Sequence, residues 1–279
     1  MGNQAGYNAK GANNTYVGLS AGFGGSGAET GNVGIGKDAL KAVTTGGYNC
    51  AMGELALDSL TDGATNVAIG YGALQASASA SNSVAIGKDA MADGVASASG
   101  TTAVGTGALK NIAAGASNTA VGYEAGNDLT TGAYNTIFGY QALDQATTAA
   151  NDNTAIGINA MGGSITTEAV IDCVVVGSGA LAGSLESEAS GSVAVGKAAL
   201  AAVTTGANNL AVGHNALLSN TTGGHNLAIG SGVLQHCVDG GANIGIGSGA
   251  LDDWDAGTTV DGSAHNLMIG VDAGGGAWA

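Results

Sequence analysis

The sequence has no proline and no arginine, and only 4% of its 279 residues are aromatic. Hydrophobic residues nevertheless make up 45% of the chain, so the apolar content is mostly alanine, valine, isoleucine and leucine. A core built from such side chains must be thin. Together with 52 glycines, these absences set the composition apart from that of an ordinary globular domain.

Basic residues are scarce as well. Six lysines stand against 21 acidic residues, which gives a formal net charge of -15. Such a charge repels phosphate groups and anionic headgroups, so the composition argues against nucleic-acid binding. The acidic residues are spread along the chain and are not gathered in a tail, which is typical of a surface that keeps a protein in solution.

Long apolar runs and cysteine patterns are also missing. No run of 18 apolar residues exists, so we expect no membrane insertion, and the first residues lack the apolar core of a signal peptide. The three cysteines, Cys50, Cys173 and Cys237, show no metal-binding spacing and cannot all pair within one chain. We expect them to fill an apolar wall.

What the sequence has in abundance is one repeated unit. A nine-position core, N-x-A-[VI]-G-x-x-A-L, recurs with a period near 17 residues, and its position five is glycine in all fifteen copies. The insertions fall between the cores, which is typical of stacked supersecondary units. A partial copy occupies residues 1–10, and the longest insertion occupies residues 252–265. The cores begin at Asn14, Asn32, Asn49, Asn66, Ser83, Thr101, Asn118, Asn135, Asn153, Cys173, Ser192, Asn209, Asn226, Asn243 and Asn266.

Within the core, positions two and four alternate with positions one and three, as in Val67 and Ile69 against Asn66 and Ala68. This period of two predicts a strand that ends at the glycine, with its β-branched residues forming the wall of the coil. The alanine and leucine at positions eight and nine predict a second short strand, and Thr-Thr-Gly or Thr-Asp-Gly segments predict turns. The sequence therefore predicts an all-β, parallel β-roll, or β-solenoid, of about sixteen coils in a single domain over residues 1–279.

Stacking also predicts that the asparagines of position one form an amide ladder. Each coil buries only about three or four aliphatic side chains, which does not offset the entropy of ordering it, so we expect burial against other chains. The ladder residues that carry this prediction most clearly are Asn66, Asn118, Asn135, Asn209, Asn226 and Asn243.

Two variants of the repeat carry a family resemblance. The segments "NSVAIGKDA" at Asn82–Ala90 and "GSVAVGKAAL" at Gly191–Leu200 resemble the head repeats of YadA-like trimeric autotransporter adhesins. The forms "AYNTIFGYQAL" and "SNTAVGYEAG" are similar to repeats in phage tail fibres and related surface proteins. The resemblance implies a left-handed roll, a homotrimer and a stiff shaft or head that presents sites for a carbohydrate or protein receptor. Because no export signal is visible, we favour a virion over a cell surface.

Candidate sites are few. Position six varies and should face water; its Tyr123 and Tyr140 fall in consecutive coils and could stack on each other or hold a sugar ring. In the longest insertion, Asp252, Asp253 and Asp255 are a weak candidate for Ca²⁺, and Trp254 could stack on a carbohydrate or cap the core. His225 and His265 lie just before the core, in what we expect to be an exposed turn.

Catalysis has little support, since the sequence has neither a nucleophile elbow nor a zinc-protease motif and its four histidines are scattered. We predict no enzyme activity and no cofactor. The leading hypothesis is a structural and adhesive fibre segment. Alternatives are the head of a bacterial adhesin, a filament subunit that stacks end to end and, less favoured because the Thr pairs lie in turns, an ice-binding solenoid.

Overall fold

The computed structural model describes residues 2–25, 27–94, 98–146, 150–165, 170–186, 189–252 and 264–275. The chain divides into two compact units, Met1–Tyr134 and Asn135–Ala279, and each is described by itself. Whether they act as the single predicted domain stays a prediction.

Both units are parallel β-solenoids, which confirms the predicted fold. Consecutive strands within a unit pair in parallel and in equivalent register, as when Val67 pairs with Val84 and Leu210 with Leu227. In the first unit the strands are β1 Thr15–Val17, β2 Val33–Ile35, β3 Cys50–Met52, β4 Val67–Ile69, β5 Val84–Ile86, β6 Thr102–Val104 and β7 Thr119–Val121. In the second they are β8 Thr136–Phe138, β9 Thr154–Ile156, β10 Val174–Val176, β11 Val193–Val195, β12 Leu210–Val212, β13 Leu227–Ile229, β14 Ile244–Ile246 and β15 Leu267–Ile269. Among the described residues, no helix reaches the length and hydropathy of a membrane span.

The second strand predicted at positions eight and nine is wrong for the coils that the structure describes. After the glycine, residues at positions seven and nine adopt left-handed backbone angles, as at Leu55 with φ 61° and Leu57 with φ 53°. The chain here is a series of tight turns, in which the amide of Ala56 donates to the carbonyl of Gly53 and that of Leu60 to Leu57. Alternate amides reach neighbouring coils, so Leu57 donates to Ala73 at 3.0 Å.

This backbone decides which side chains enter the core. The left-handed angles at Leu55 and Leu57 let the adjacent residues Ala56 and Leu57 both point inward, which a strand with period two does not allow. Across the narrow interior, position one and the alanine of position three also point inward, and Asn66 and Ala68 are buried. The core is therefore made of small residues and leucine, as the composition required.

The glycine at position five closes the strand where neighbouring coils approach most tightly. Gly70 has φ 134°, a value that favours glycine, and a Cβ placed on it would overlap the carbonyl oxygen of Gly87 in the next coil. The same overlap would recur at Gly36 against Gly53 and at Gly213 against Gly230. Any side chain here would push adjacent coils apart.

Where one core position holds an unusually large residue, a neighbouring position holds an unusually small one. Val233, which replaces alanine at position eight, fills the space left by Gly245, where a Cβ would lie 2.5 Å from the Cγ1 atom of Val233. Met268 likewise fills the space beside Gly274, and Tyr16 lies against Gly34. The core thus conserves its volume between coils, as close packing requires.

Candidate functional site

The side chains at positions two and four point away from the core. We call these two columns the outward apolar face. Their exposure is substantial for aliphatic and aromatic residues: Val17 and Met52 are 45% exposed and Phe138 is 56% exposed. The expectation that these residues form the wall is correct, but the wall turns its larger side chains outward. In the described part of each unit position four is apolar at every strand, whereas position two holds threonine in β1 and in β6 to β9.

Polar and aromatic columns border this face on both sides. The residue that precedes position one, which we call position zero, has a left-handed backbone in each described coil and is exposed in most, including Tyr48, His225 and His265. Position six is exposed throughout the described coils, for example at Lys37 and Glu54, whose Nζ and Oε1 atoms are 2.9 Å apart. An apolar patch with a polar border is the usual form of a protein interaction surface.

Position six is apolar in two parts of the second unit, beside β8 and β9 and beside β15, where it holds Val271. Position six holds Tyr140 and Ile158 beside β8 and β9, and these side chains are 48% and 55% exposed. Position four of the same two strands holds Phe138 and Ile156, which pair directly across the sheet. We call these four residues the β8–β9 block. Here the apolar surface consists of positions four and six, because position two holds threonine in both strands.

The position-one asparagines form a buried column inside the coils. The Oδ1 atom of Asn209 accepts the backbone amide of Asn226 at 2.9 Å and its side-chain amide at 3.1 Å. Asn226 also donates to the carbonyl of Gly240 at 2.8 Å, and its Oδ1 accepts the amide of Asn243. In the first unit Asn66 bonds to Asn49 in the same way and Asn118 donates to Gly132; in the second, Asn135 accepts the amide of Asn153. The column ties the start of each strand to the end of the same coil.

The three cysteines occupy different environments. Cys50 lies at position two of the outward apolar face and is partly exposed, whereas Cys173 and Cys237 are buried. Burial raises the pKa of the Cys173 thiol, because a thiolate would lose its hydration there. A thiol reagent can therefore probe the outward face at Cys50, and the two buried cysteines serve as controls that it should not reach.

A buried polar pair near the first strand was not identified from the sequence. Glu29 is fully buried, and its Oε1 atom accepts the amides of Lys10 and Gly11 at 3.0 and 3.2 Å. Burial, followed by the charge of Glu29, raises the pKa of Tyr16 to about 12. Neither the Tyr16 hydroxyl nor the Glu29 Oε2 atom has a hydrogen-bond partner among the described residues. The only sequence signal was that both replace the small residues usual at their positions.

Some of the other candidate site residues lie outside the described part of the chain. Asp253, Trp254 and Asp255 lie outside the described residues, while Asp252 is half-buried and its carbonyl is 2.6 Å from the His236 Nδ1 atom. Within the described ranges no three His, Cys, Asp or Glu side chains gather as a metal site would require. Tyr123 and Tyr140 are 46% and 48% exposed but belong to different units, so their stacking stays a prediction.

Charge is unevenly divided between the units. The first unit carries five of the six lysines and nine of the 21 acidic residues, a net charge of -4, which leaves the second unit one lysine and twelve acidic residues, a net charge of -11. Ion pairs such as Lys110 with Asp93, at 3.4 Å, occur in the first unit. Between residues 135 and 196 the sequence has no lysine, arginine or histidine.

Comparison with known proteins adds no assignment. No protein-family model matches the chain, and no curated protein matches it.

Proposed function

We propose that the chain is a structural and adhesive fibre segment: a rigid, homotrimeric shaft or head that belongs to a phage tail fibre or a similar surface appendage. The outward apolar face carries this proposal. A single chain in water would leave exposed along each unit a column of mainly valine and isoleucine at position four, and beside it a column of aliphatic residues and threonine at position two. Packing such columns against those of other copies removes them from water, which is the main driving force for protein association.

The size of the face fits stable association. The seven strands of the first unit, spaced by about 4.8 Å and three residues long, give a strip of about 300 Å² that is apolar except for three threonines at position two. This size is at the lower end of the largest apolar patches on typical monomers, and the strands of the second unit give a strip of similar size. With its polar borders, about 20 Å wide in total, the face of the second unit alone approaches the roughly 800 Å² per partner of a standard interface.

Sedimentation equilibrium tests the association. We expect a species about three times the chain mass of 26.3 kDa. Introducing aspartate at three neighbouring position-four residues of the first unit should dissociate it, because buried charge at an apolar interface is unfavourable. These residues are Ile69, Ile86 and Val104. A compact wild-type monomer would overturn the proposal.

A matched control places the same three charges on the border. Position zero already has a left-handed backbone, which aspartate tolerates, so substitution there should leave the assembly intact. The residues are Thr65, Asn82 and Ser117. If both sets of substitutions dissociate the protein equally, general charge repulsion and not the apolar face controls assembly.

Thiol labelling gives an independent readout of the same surface. In the assembled protein the Cys50 thiol should react with a maleimide slowly, and dilution or the aspartate substitutions should expose it. Cys173 and Cys237 are buried within the coils and should stay unreactive until the protein unfolds. Fast labelling of Cys50 in a stable trimer would place the contact on another face.

The adhesive part of the proposal concerns exposed residues on the borders of the face. Tyr123 and Tyr140 are candidate contacts for a cell-surface carbohydrate or protein, as is Trp254, which lies outside the described residues. A glycan array probed with the wild-type protein and with a Tyr123→Ser, Tyr140→Ser variant tests this role. Equal binding profiles would remove both tyrosines as receptor contacts.

Two alternatives use the same fold. The head of a trimeric autotransporter adhesin would share the assembly and differ in its genetic context. A filament of coils stacked end to end would appear as long rods in electron microscopy, whereas the trimer appears as discrete ones. Ice binding is less favoured, since turn threonines such as Thr44 and Thr204 donate their hydroxyls to the carbonyls of Thr61 and Thr221.

A further inference from the structure

A repeated surface leaves the alignment of two copies poorly defined. In most of the described coils, positions two and four hold aliphatic residues of similar size, and neighbouring strands pair in equivalent register. Sliding one copy past another by one coil would therefore replace most contacts with nearly identical ones. Register is weakly specified wherever successive positions look alike.

The β8–β9 block breaks this uniformity. Phe138 is the largest side chain at position four among the described strands, and it is followed at that position by Ile156 and Val176. Tyr140 and Ile158 extend the apolar surface into position six, which from β10 to β14 holds Ser178, Lys197, His214, Ser231 and Ser248. A one-coil slip would bring Ile158 to the level of the polar Ser178, while Tyr140 would come to the level of Ile158.

We propose that the β8–β9 block fixes the axial register in which a second copy of this chain packs against the outward apolar face. The inference rests on the self-association proposed above. Large aromatic residues that become buried contribute much of the binding energy of an interface. The block occupies the first two of the eight strands of the second unit, and Phe138 and Ile156 belong to the outward apolar face.

The charge of the surrounding segment leaves alignment to apolar contacts. No basic residue lies between positions 135 and 196, while Asp152 and Asp172 are exposed at position zero. Two copies in register bring like charges to the border, so ion pairs cannot define the alignment there. The block is uncharged, and its side chains differ in size and polarity from those of the next described coil, so it can favour one register.

Cysteine cross-linking in the second unit measures the register. Cys50 is first replaced by serine, and Val193→Cys and Leu210→Cys are made separately, since these residues occupy position two of adjacent coils. A disulfide requires Cα atoms about 4.4–6.8 Å apart, and a one-coil slip shifts the partner cysteine by about 4.8 Å. Co-refolded mixtures are oxidised and the linked peptides are counted by mass spectrometry.

In the wild-type background we expect Val193→Cys chains to link to each other at least about ten times more often than to Leu210→Cys chains, a preference of about 1.4 kcal/mol. The variant Phe138→Val, Tyr140→Ser, Ile158→Ser should keep the oligomer mass but bring the two yields close to equality. The control Ile229→Val, Ile246→Val trims the face outside the block and should keep the preference.

The possible failures are distinguishable. A monomeric wild-type protein overturns the proposed function and this inference together. A wild-type oligomer that forms both cross-links equally overturns the inference alone, as does a block variant that keeps its preference. Loss of the oligomer in the block variant would mean that the block supplies affinity and not register, and it would also overturn the inference.

Discussion

Val233 and Gly245 are in contact in the core, and the larger side chain of one occupies the space that the other leaves free. Val233 is fully buried at position eight, and Gly245 lies in β14 of the next coil. In most coils both positions hold alanine, as with Ala216 and Ala228. Replacing Val233 or Gly245 by alanine singly should destabilise the protein for opposite reasons, and the double variant should recover most of the loss.

The magnitudes follow from the packing. Val233→Ala removes two buried methyl groups, about 1.6 kcal/mol of transfer free energy, and the cavity raises the loss to about 2 kcal/mol. Gly245→Ala places a Cβ 2.5 Å from the Val233 Cγ1 atom, an overlap that costs about 1.5 kcal/mol. The double variant lacks about one methyl group relative to the wild type, so it should lose only about 0.8 kcal/mol. The expected coupling is therefore about 2 to 3 kcal/mol.

Urea unfolding at one fixed protein concentration measures all four proteins, since the unfolding of an assembly depends on concentration. The reverse exchange in the preceding coils serves as the matched control: Ala216→Val should destabilise the protein, and adding Ala228→Gly should restore it. Single losses that simply add, with a coupling below about 0.5 kcal/mol, would refute the reasoning that adjacent coils share one packed volume.

Three further outcomes are expected. Asn226→Ala should lower the free energy of unfolding by about 3 kcal/mol, because it removes the hydrogen-bond partner of the Gly240 carbonyl and of the Asn243 amide. Asn226→Ser should lower it less. Equal losses in urea unfolding would contradict the hydrogen-bonded column. Because the pKa of Tyr16 is raised to about 12, its neutral hydroxyl contributes stability that is complete below pH 10, the ordinary tyrosine value, and is lost as the pH rises to about 12. Tyr16→Phe should remove this part of the pH dependence of the melting temperature, whereas Tyr71→Phe should leave it in place. Because the net charge is -15, raising NaCl from about 0.05 to about 0.5 M should screen the repulsion and raise the melting temperature. A melting temperature that falls with salt would show that this repulsion does not limit the stability.

Much of the fold was predictable from the repeat. The alternation in segments such as Asn66–Ile69 indicated a strand, and Gly70 marked its end. Fifteen copies at nearly constant spacing indicated coils stacked in parallel, and the three-residue strands lie where the alternation predicted them. Local sequence was sufficient here because a strand and its terminating glycine depend on backbone preferences of the residues themselves.

The second half of the coil was predicted incorrectly, although the sequence held a warning. Ala56 and Leu57 are adjacent and both apolar, which a strand with one face inward cannot satisfy. Left-handed angles at Leu55 and Leu57 solve this problem, but leucine seldom adopts them in isolation. Hydrogen bonds to neighbouring coils, such as Leu57 to Ala73, hold the strained backbone in place. Such support exists only after the coils have stacked.

The orientation of the outward apolar face also became clear only in the stacked coils. Alternation shows that Val67 and Ile69 share one face of a strand and that Asn66 and Ala68 share the other, but both faces are partly apolar, so the pattern does not show which is buried. The sequence by itself therefore determined the coil, its strand, its glycine corner and the column of asparagines, because each follows from local geometry repeated at a fixed period. Only the tertiary structure decided that positions two and four face outward, because the residues of positions one and three, such as Asn66 and Ala68, are the ones that pack with Leu74 and its equivalents in the core.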